Sequence, residues 1–206
     1  MSLAAARVLE VGAGSAPCAR WLASRGVDVV ASDVSGGMLA AAREANRRTG
    51  VTLPLVQADA LALPFADASL DVVFTSYGVV PFVPDVGALH REVARVLRPG
   101  GRWAFSTTHP VRWAFPDDPG PGGLTATRSY FDPTPYRELD DGGRVLYAEH
   151  HRTLAQHLAE VTAAGLTLTR IIEPEWQPGR STWGGWSELR ARHLPGTLLV
   201  VADRPA

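Results

Sequence analysis

The sequence predicts an open α/β fold. Three observations predict it. Short apolar runs alternate with segments of helical periodicity. The first run, Val8-Leu9-Glu10-Val11, leads straight into a Gly12-Ala13-Gly14 turn, and Arg98-Pro99-Gly100-Gly101 stops a periodic segment just before a further apolar run. A glycine turn at the carboxyl end of a strand lets backbone approach a ligand closely, and open α/β sheets hold their ligands there.

The elements follow in order. After the strand beginning at Val8, a helix starts near Pro17, a residue tolerated in the first helical turn. Strands are expected at Val27 to Asp33, Val51 to Asp59 and Leu70 to Ser76. Asp85 to Leu97 places Val86, Leu89, Val93 and Val96 on one helical face, and Trp103 to Ser106 supplies the fifth strand. From His109 to Asp141 the chain is rich in proline, glycine and aspartate, with Trp113, Phe115, Tyr130, Phe131 and Tyr136 interspersed, a composition typical of functional loops. Leu124 to Phe131 and Arg144 to His151 are strand-compatible and flank the turn signal Asp140-Asp141-Gly142-Gly143, which predicts a hairpin. Thr153-Leu154-Ala155-Gln156 reads as a capping box opening a helix that ends before Gly165. Leu166 to Ile172 and Thr197 to Ala202 bring the strands to seven, with Trp176, Trp183 and Trp186 between the last two. No repeat, low-complexity tract or linker divides the chain, so one domain over residues 1–206 is expected.

Composition narrows the chemistry. A chain of 206 residues that is 46% hydrophobic buries one sizeable core, and a net charge of −1 gives no pull toward nucleic acid or an anionic membrane. The amino terminus carries no apolar segment of signal length and no run long enough to span a bilayer, so a cytoplasmic protein that engages neither nucleic acid nor membrane is expected. All 20 basic residues are arginine, which removes Schiff-base and P-loop chemistry, both of which need lysine. Cys18 is the only cysteine, so an internal disulfide or thiolate metal cluster is excluded; it shares a helical face with Trp21 and Leu22 and is read as core packing. His90, His157 and His193 are expected to be structural or solvent-facing. His150 and His151 would point to opposite faces of a strand, which argues against a metal site. Arg43, Arg47 and Arg48 form a solvated helix face, with Glu44 one turn before Arg48.

The ligand of the glycine turn is the central question. A dinucleotide fingerprint, G-x-G-x-x-G, requires a third glycine where this chain has Pro17, and Glu10 is unfavourable beside a pyrophosphate but welcome beside a cation. Glu10-x-Gly12-x-Gly14 resembles motif I of the class I S-adenosylmethionine-dependent methyltransferases. Asp33 ends the second strand, Gln57-Ala58-Asp59-Ala60 ends the third, and Glu92-Val93-Ala94-Arg95-Val96-Leu97-Arg98-Pro99-Gly100-Gly101 follows in the family's order, so that the resemblance covers residues 7–108. The chain departs from the family at Ala16, where a third glycine is frequent, at Ala13, where cysteine is common, and at Val80-Pro81-Phe82, which replaces a histidine-containing stretch.

The resemblance implies a Rossmann-like three-layer sandwich with a seven-stranded, mostly parallel sheet whose last strand is antiparallel. Residues 1–108 form the cofactor-binding half, 109–151 an insertion that shapes the acceptor pocket, and 152–206 the rest of the substrate side. S-adenosylmethionine is the implied cofactor and S-adenosylhomocysteine its product. Glu10 would orient the methionyl ammonium with the backbone of Gly12, Ala13 and Gly14; Asp33 would hold the ribose; Asp59 and Ala60 would read adenine, flanked by Val34 and Met38. Ser76 and Tyr77 would lie near the methionyl end and the acceptor. His109 and Tyr77 are the candidates for a general base. Methyl transfer to a small-molecule acceptor by in-line displacement needs mainly alignment and exclusion of water. A non-catalytic S-adenosylmethionine-binding or scaffold protein and a nicotinamide-dependent oxidoreductase are the alternatives. A strand starting at Val8 leaves no room for the amino-terminal helices that cover the cofactor in many relatives. The acceptor and the oligomeric state are not written in the sequence.

Overall fold

The structure, a computed structural model, describes residues 5–206. The first four residues, part of the amino terminus read above for signal segments, lie outside the described residues. Among the described residues, nine strands and five α-helices follow in the order β1 (Arg7–Val11), α1 (Pro17–Ala23), β2 (Asp28–Asp33), α2 (Gly36–Thr49), β3 (Leu55–Gln57), β4 (Leu70–Ser76), α3 (Val86–Val96), β5 (Leu97–Thr108), β6 (Tyr136–Leu139), β7 (Val145–Glu149), α4 (Leu154–Ala163), β8 (Thr167–Ile172), α5 (Glu188–Ala191) and β9 (Thr197–Asp203). Seven of the strands form one sheet in the order β3-β2-β1-β4-β5-β9-β8, and β6 and β7 make a separate hairpin. Pairings from β3 through β5 are parallel, and β9 runs antiparallel to both of its neighbours. This is the expected Rossmann-like sandwich. The order reverses direction between β1 and β4, which opens a crevice beyond their carboxyl ends.

The two faces of the sheet are packed differently. Leu9, Val73, Trp103, Phe105, Leu198 and Val200 meet α3 and α4 through Val86, Leu89, Val93 and Val161. Trp103 and Phe105 are fully buried, and burying a large apolar side chain contributes about 1.5–3 kcal/mol. On the other face Ala13, Ala16, Ala19, Ala31 and Ala42 replace bulky residues, so α1 and α2 lie close to β1 and β2. Asp85 caps α3 by accepting from Ala88 N, and Thr153 and Gln156 form both bonds of the expected capping box on α4.

Several boundaries differ from expectation. β3 is confined to Leu55–Gln57, because Pro54 has no N–H to donate to the ladder. Arg98-Pro99-Gly100-Gly101 ends α3 but is absorbed into β5 as a bulge, with the register slipping between Leu70 and Val72. Tyr136–Leu139 pairs with β7; Leu124–Phe131 does not. Its polar groups are spent elsewhere: Thr127 N and Arg128 N donate to Ala114 O, and the Tyr130 hydroxyl accepts from Leu154 N. His90 and His157, expected to be structural or solvent-facing, are both buried around Phe105. Cys18, read as core packing, is only half-buried, and Trp21 on the same helix is 56% exposed.

Candidate active site

The crevice at the ends of β1, β2 and β4 is lined by a backbone cradle. Gly12 adopts φ +64, and a Cβ there would stand 2.9 Å from Val79 N. Gly78 faces it: a Cβ at this position would lie 2.5 Å from Gly12 O and against Thr75 Oγ1. The glycine turn and the loop after β4 therefore pack backbone to backbone. Ala16 holds the left-handed conformation (φ 55) that a glycine adopts freely, which accounts for the frequency of glycine there in the family. Arg20 braces the turn through Ser15 O, 2.6 Å away, and Asn46 Oδ1, 3.1 Å away, so its charge is directed into the scaffold.

Three acids of the sequence reading stand around this cradle. Glu10 is 2% exposed, and its Oε2 accepts from Ala19 N at 2.8 Å. Burial pushes its carboxyl up to about 7, partly opposed by the Ala19 N–H and by Arg20. Asp33 accepts from Gly14 N at 2.7 Å and from Ser35 N at 2.8 Å, tying the turn to the start of α2. Asp59 accepts from Leu61 N at 2.9 Å, with Ala60 following it beyond β3. Val34 and Met38 leave apolar surface open beside Gly14, being 69% and 43% exposed. Ala13 N is fixed to Ser32 O.

Ser76 ends β4 and Tyr77 follows it with φ 53, an uncommon conformation for an aromatic residue. Tyr77 N donates to Ser106 O, its hydroxyl meets Thr197 Oγ1, and its ring lies edge-on to Trp183. Two cavities meet at Tyr77, one of about 390 Å³ beside Ser106, Trp176 and Arg180, the other of about 260 Å³ beside Phe82, Arg112, Tyr147 and Trp186. His109 lies behind the second, in a space of about 30 Å³. Its Nδ1 accepts from Val111 N at 3.1 Å, so Nε2 carries the proton and donates to Glu173 Oε1 at 2.8 Å. Burial holds its pKa below the usual imidazole value, with Glu173 acting in opposition.

The structure thus gathers Glu10, Gly12, Ala13, Gly14, Asp33, Val34, Met38, Asp59, Ala60, Ser76 and Tyr77 on one rim of the sheet, with His109 set back from it. The acids, the close backbone approach and the open apolar surface suit an adenosyl group joined to a cationic amino acid. Sequence reasoning missed Arg112, Tyr147 and Glu149. Tyr147 and Glu149 are spaced by two on β7 and so share a face, a signal visible in the sequence; Arg112, 37 residues from Glu149, had none.

The model of the methyltransferase domain family matches residues 9–105. A demethylmenaquinone methyltransferase of Mycobacterium sp. strain KMS is 46% identical over 201 residues, covering 95% of this chain and 74% of the relative. The chain belongs to the class I S-adenosylmethionine-dependent methyltransferases. A demethylmenaquinone methyltransferase of Corynebacterium kroppenstedtii is 42% identical over the same span. The crystal structure of an S-adenosylmethionine-dependent methyltransferase from Mesorhizobium loti superposes with a TM-score of 0.77 at 28% identity, covering 99% of this chain and 93% of that one. A [4+2]-cyclase, SpnF, shares the fold alone, with a TM-score of 0.67 at 18% identity. As a methyltransferase the protein uses S-adenosylmethionine to methylate a small molecule. Among the described residues, no helix is long and apolar enough to cross a membrane.

Proposed function

We propose that this methyltransferase acts on an aromatic acceptor of the quinone-precursor class, seated in the cavity between Tyr77 and the insertion. The observation that carries this reading is the placement of an aromatic-walled cavity of about 260 Å³ immediately beyond the end of β4. The relatives named for demethylmenaquinone support it.

In this reading Glu10 and the turn from Gly12 to Gly14 hold the methionyl end, Asp33 the ribose, and Asp59 with Ala60 the adenine edge, with Val34 and Met38 against the ring. S-adenosylmethionine supplies a methyl group already activated by its sulfonium. The chain's task is then to align and to exclude water. Ser76 and Tyr77 mark the passage from cradle to cavity, and Trp183 closes over Tyr77. Of the two candidate bases, Tyr77 is the better placed, because it lines both cavities that meet beyond β4 and its hydroxyl has one partner, Thr197, while His109 is set back with both ring nitrogens engaged.

Calorimetric titration with S-adenosylhomocysteine tests the cradle. Binding is expected, with NADH giving no heat. Asp33→Ala should weaken it by about ten- to a hundredfold, the worth of a hydrogen bond to a charged group. Heat with NADH alone, or undiminished binding by Asp33→Ala, overturns the assignment.

A further inference from the structure

We infer that Glu149 is the group that selects the acceptor, taking a hydrogen bond from a hydroxyl on an aromatic ring held in the cavity beyond Tyr77. The inference rests on the placement of the acceptor proposed above.

Three adjoining cavities, of about 30, 260 and 210 Å³, meet at Arg112 and Glu149. The Glu149 side chain is 12% exposed, and each oxygen has one partner: Oε1 accepts from the Tyr147 hydroxyl at 2.5 Å and Oε2 from an Arg112 guanidinium nitrogen at 2.9 Å. A carboxylate oxygen has room for two such bonds, so the group keeps accepting capacity toward the cavity. Arg112 reaches Asp117 as well, at 3.1 Å, which leaves this cluster with two carboxylates to one guanidinium. Burial and then Glu149 hold the Tyr147 phenol well above its ordinary value, so it stays a donor to Glu149 and does not compete as an acceptor.

A buried ion pair contributes little to stability compared with apolar residues of the same volume. Here it sits among Tyr77, Phe82, Tyr147 and Trp183, where packing alone favours an apolar side chain. Its effect on a ligand is directional. An aromatic ring that brings a hydroxyl satisfies a spare lone pair of Glu149, whereas a ring of equal size without a donor strips water from that lone pair and replaces it with nothing, although the bonds to Arg112 and Tyr147 remain.

The test compares 1-naphthol with 1-methylnaphthalene, which replaces the hydroxyl by a methyl group of similar size. Both are titrated into the protein loaded with S-adenosylhomocysteine and followed by quenching of tryptophan fluorescence. The intact protein should bind 1-naphthol at least about tenfold more tightly, corresponding to about 1.4 kcal/mol. Glu149→Gln should reduce that preference to about threefold or less while leaving the affinity for 1-methylnaphthalene unchanged or improved. Equal binding of the two rings by the intact protein, no binding of either, or a preference that survives Glu149→Gln overturns the inference. The comparison within the intact protein stands whether or not the variant folds. Calorimetry with S-adenosylhomocysteine reads the cradle separately, so a failure of cofactor binding is distinguishable from a failure of acceptor selection.

Discussion

The two regions of this methyltransferase proposed to hold its ligands are built by opposite means. The cradle is made of backbone: Gly12 against Val79, Gly78 against Gly12 O, Gly14 N on Asp33, Ala19 N on Glu10. The cavity proposed for the acceptor is made of side chains that arrive from four separate segments, Tyr77 after β4, Arg112 after β5, Tyr147 and Glu149 on β7, Trp183 before β9. Both carry a local cost. In the cradle it is a buried carboxylate and left-handed Ala16 and Tyr77; in the cavity it is a desolvated ion pair. The difference teaches that a site for an invariant ligand can be written in short backbone motifs, whereas a site for one particular acceptor depends on distant side chains.

The largest expected effect separates the titrating group of the cradle from those beneath the cavity. Burial, and then Arg152, pushes His90 down to about 4 and His157 down to about 3. Unfolded histidine binds its proton near pH 6.5, so the unfolded state gains protons first, and stability is lost as the pH falls from about 6.5 toward 4. Glu10 has the opposite sign. Its carboxyl is raised from 4.5 to about 7, so stability is favoured at low pH and lost as the pH rises through 7. In Glu10→Gln, passing from pH 7.5 to pH 5 should cost about 4 kcal/mol, roughly 2 from each histidine. The unmodified protein should lose only about half as much, because protonation of Glu10 returns about 2 kcal/mol. Urea unfolding at both pH values checks this; equal losses in the two proteins break the distinction.

Next in size is Gly78→Ala. The added methyl collides with backbone and should destabilise the fold by about 3 kcal/mol and remove detectable binding of S-adenosylhomocysteine. Urea unfolding and calorimetry read the two effects. Unimpaired binding would show that the loop after β4 does not shape the cradle.

The smallest effect sharpens the role of Glu10. Binding an ammonium favours the ionised carboxylate, so affinity for S-adenosylhomocysteine should rise about tenfold between pH 6 and pH 8 and stay flat in Glu10→Gln. A flat profile in the unmodified protein removes Glu10 from the ammonium site.

Much of the cradle was legible in the sequence. The turn Gly12-Ala13-Gly14 follows its strand directly, Asp33 and Ser76 end theirs, and α3 and α4 carry their caps within a few residues of their first turns. Less of the acceptor side was legible. Tyr136–Leu139, not Leu124–Phe131, pairs with β7, because Tyr130 is drawn away to Leu154 and His151. Apolar periodicity identified α3 but not the fate of His90, whose ring is held against Trp103 and Phe105 of β5.

By itself the sequence determined the strands and helices of the cofactor half in outline, where the ligand turn lies and which methyltransferase pattern it follows. Those features depend on periodicity, caps and glycine conformations, all set within a few residues of chain. The tertiary structure alone decided that Arg112 meets Glu149, that Tyr77 stands between two cavities and that two histidines are buried without hydrogen-bond partners for three of their four ring nitrogens. These contacts join residues far apart in the chain, so their energies exist only once the sheet has assembled and brought its loops to one rim.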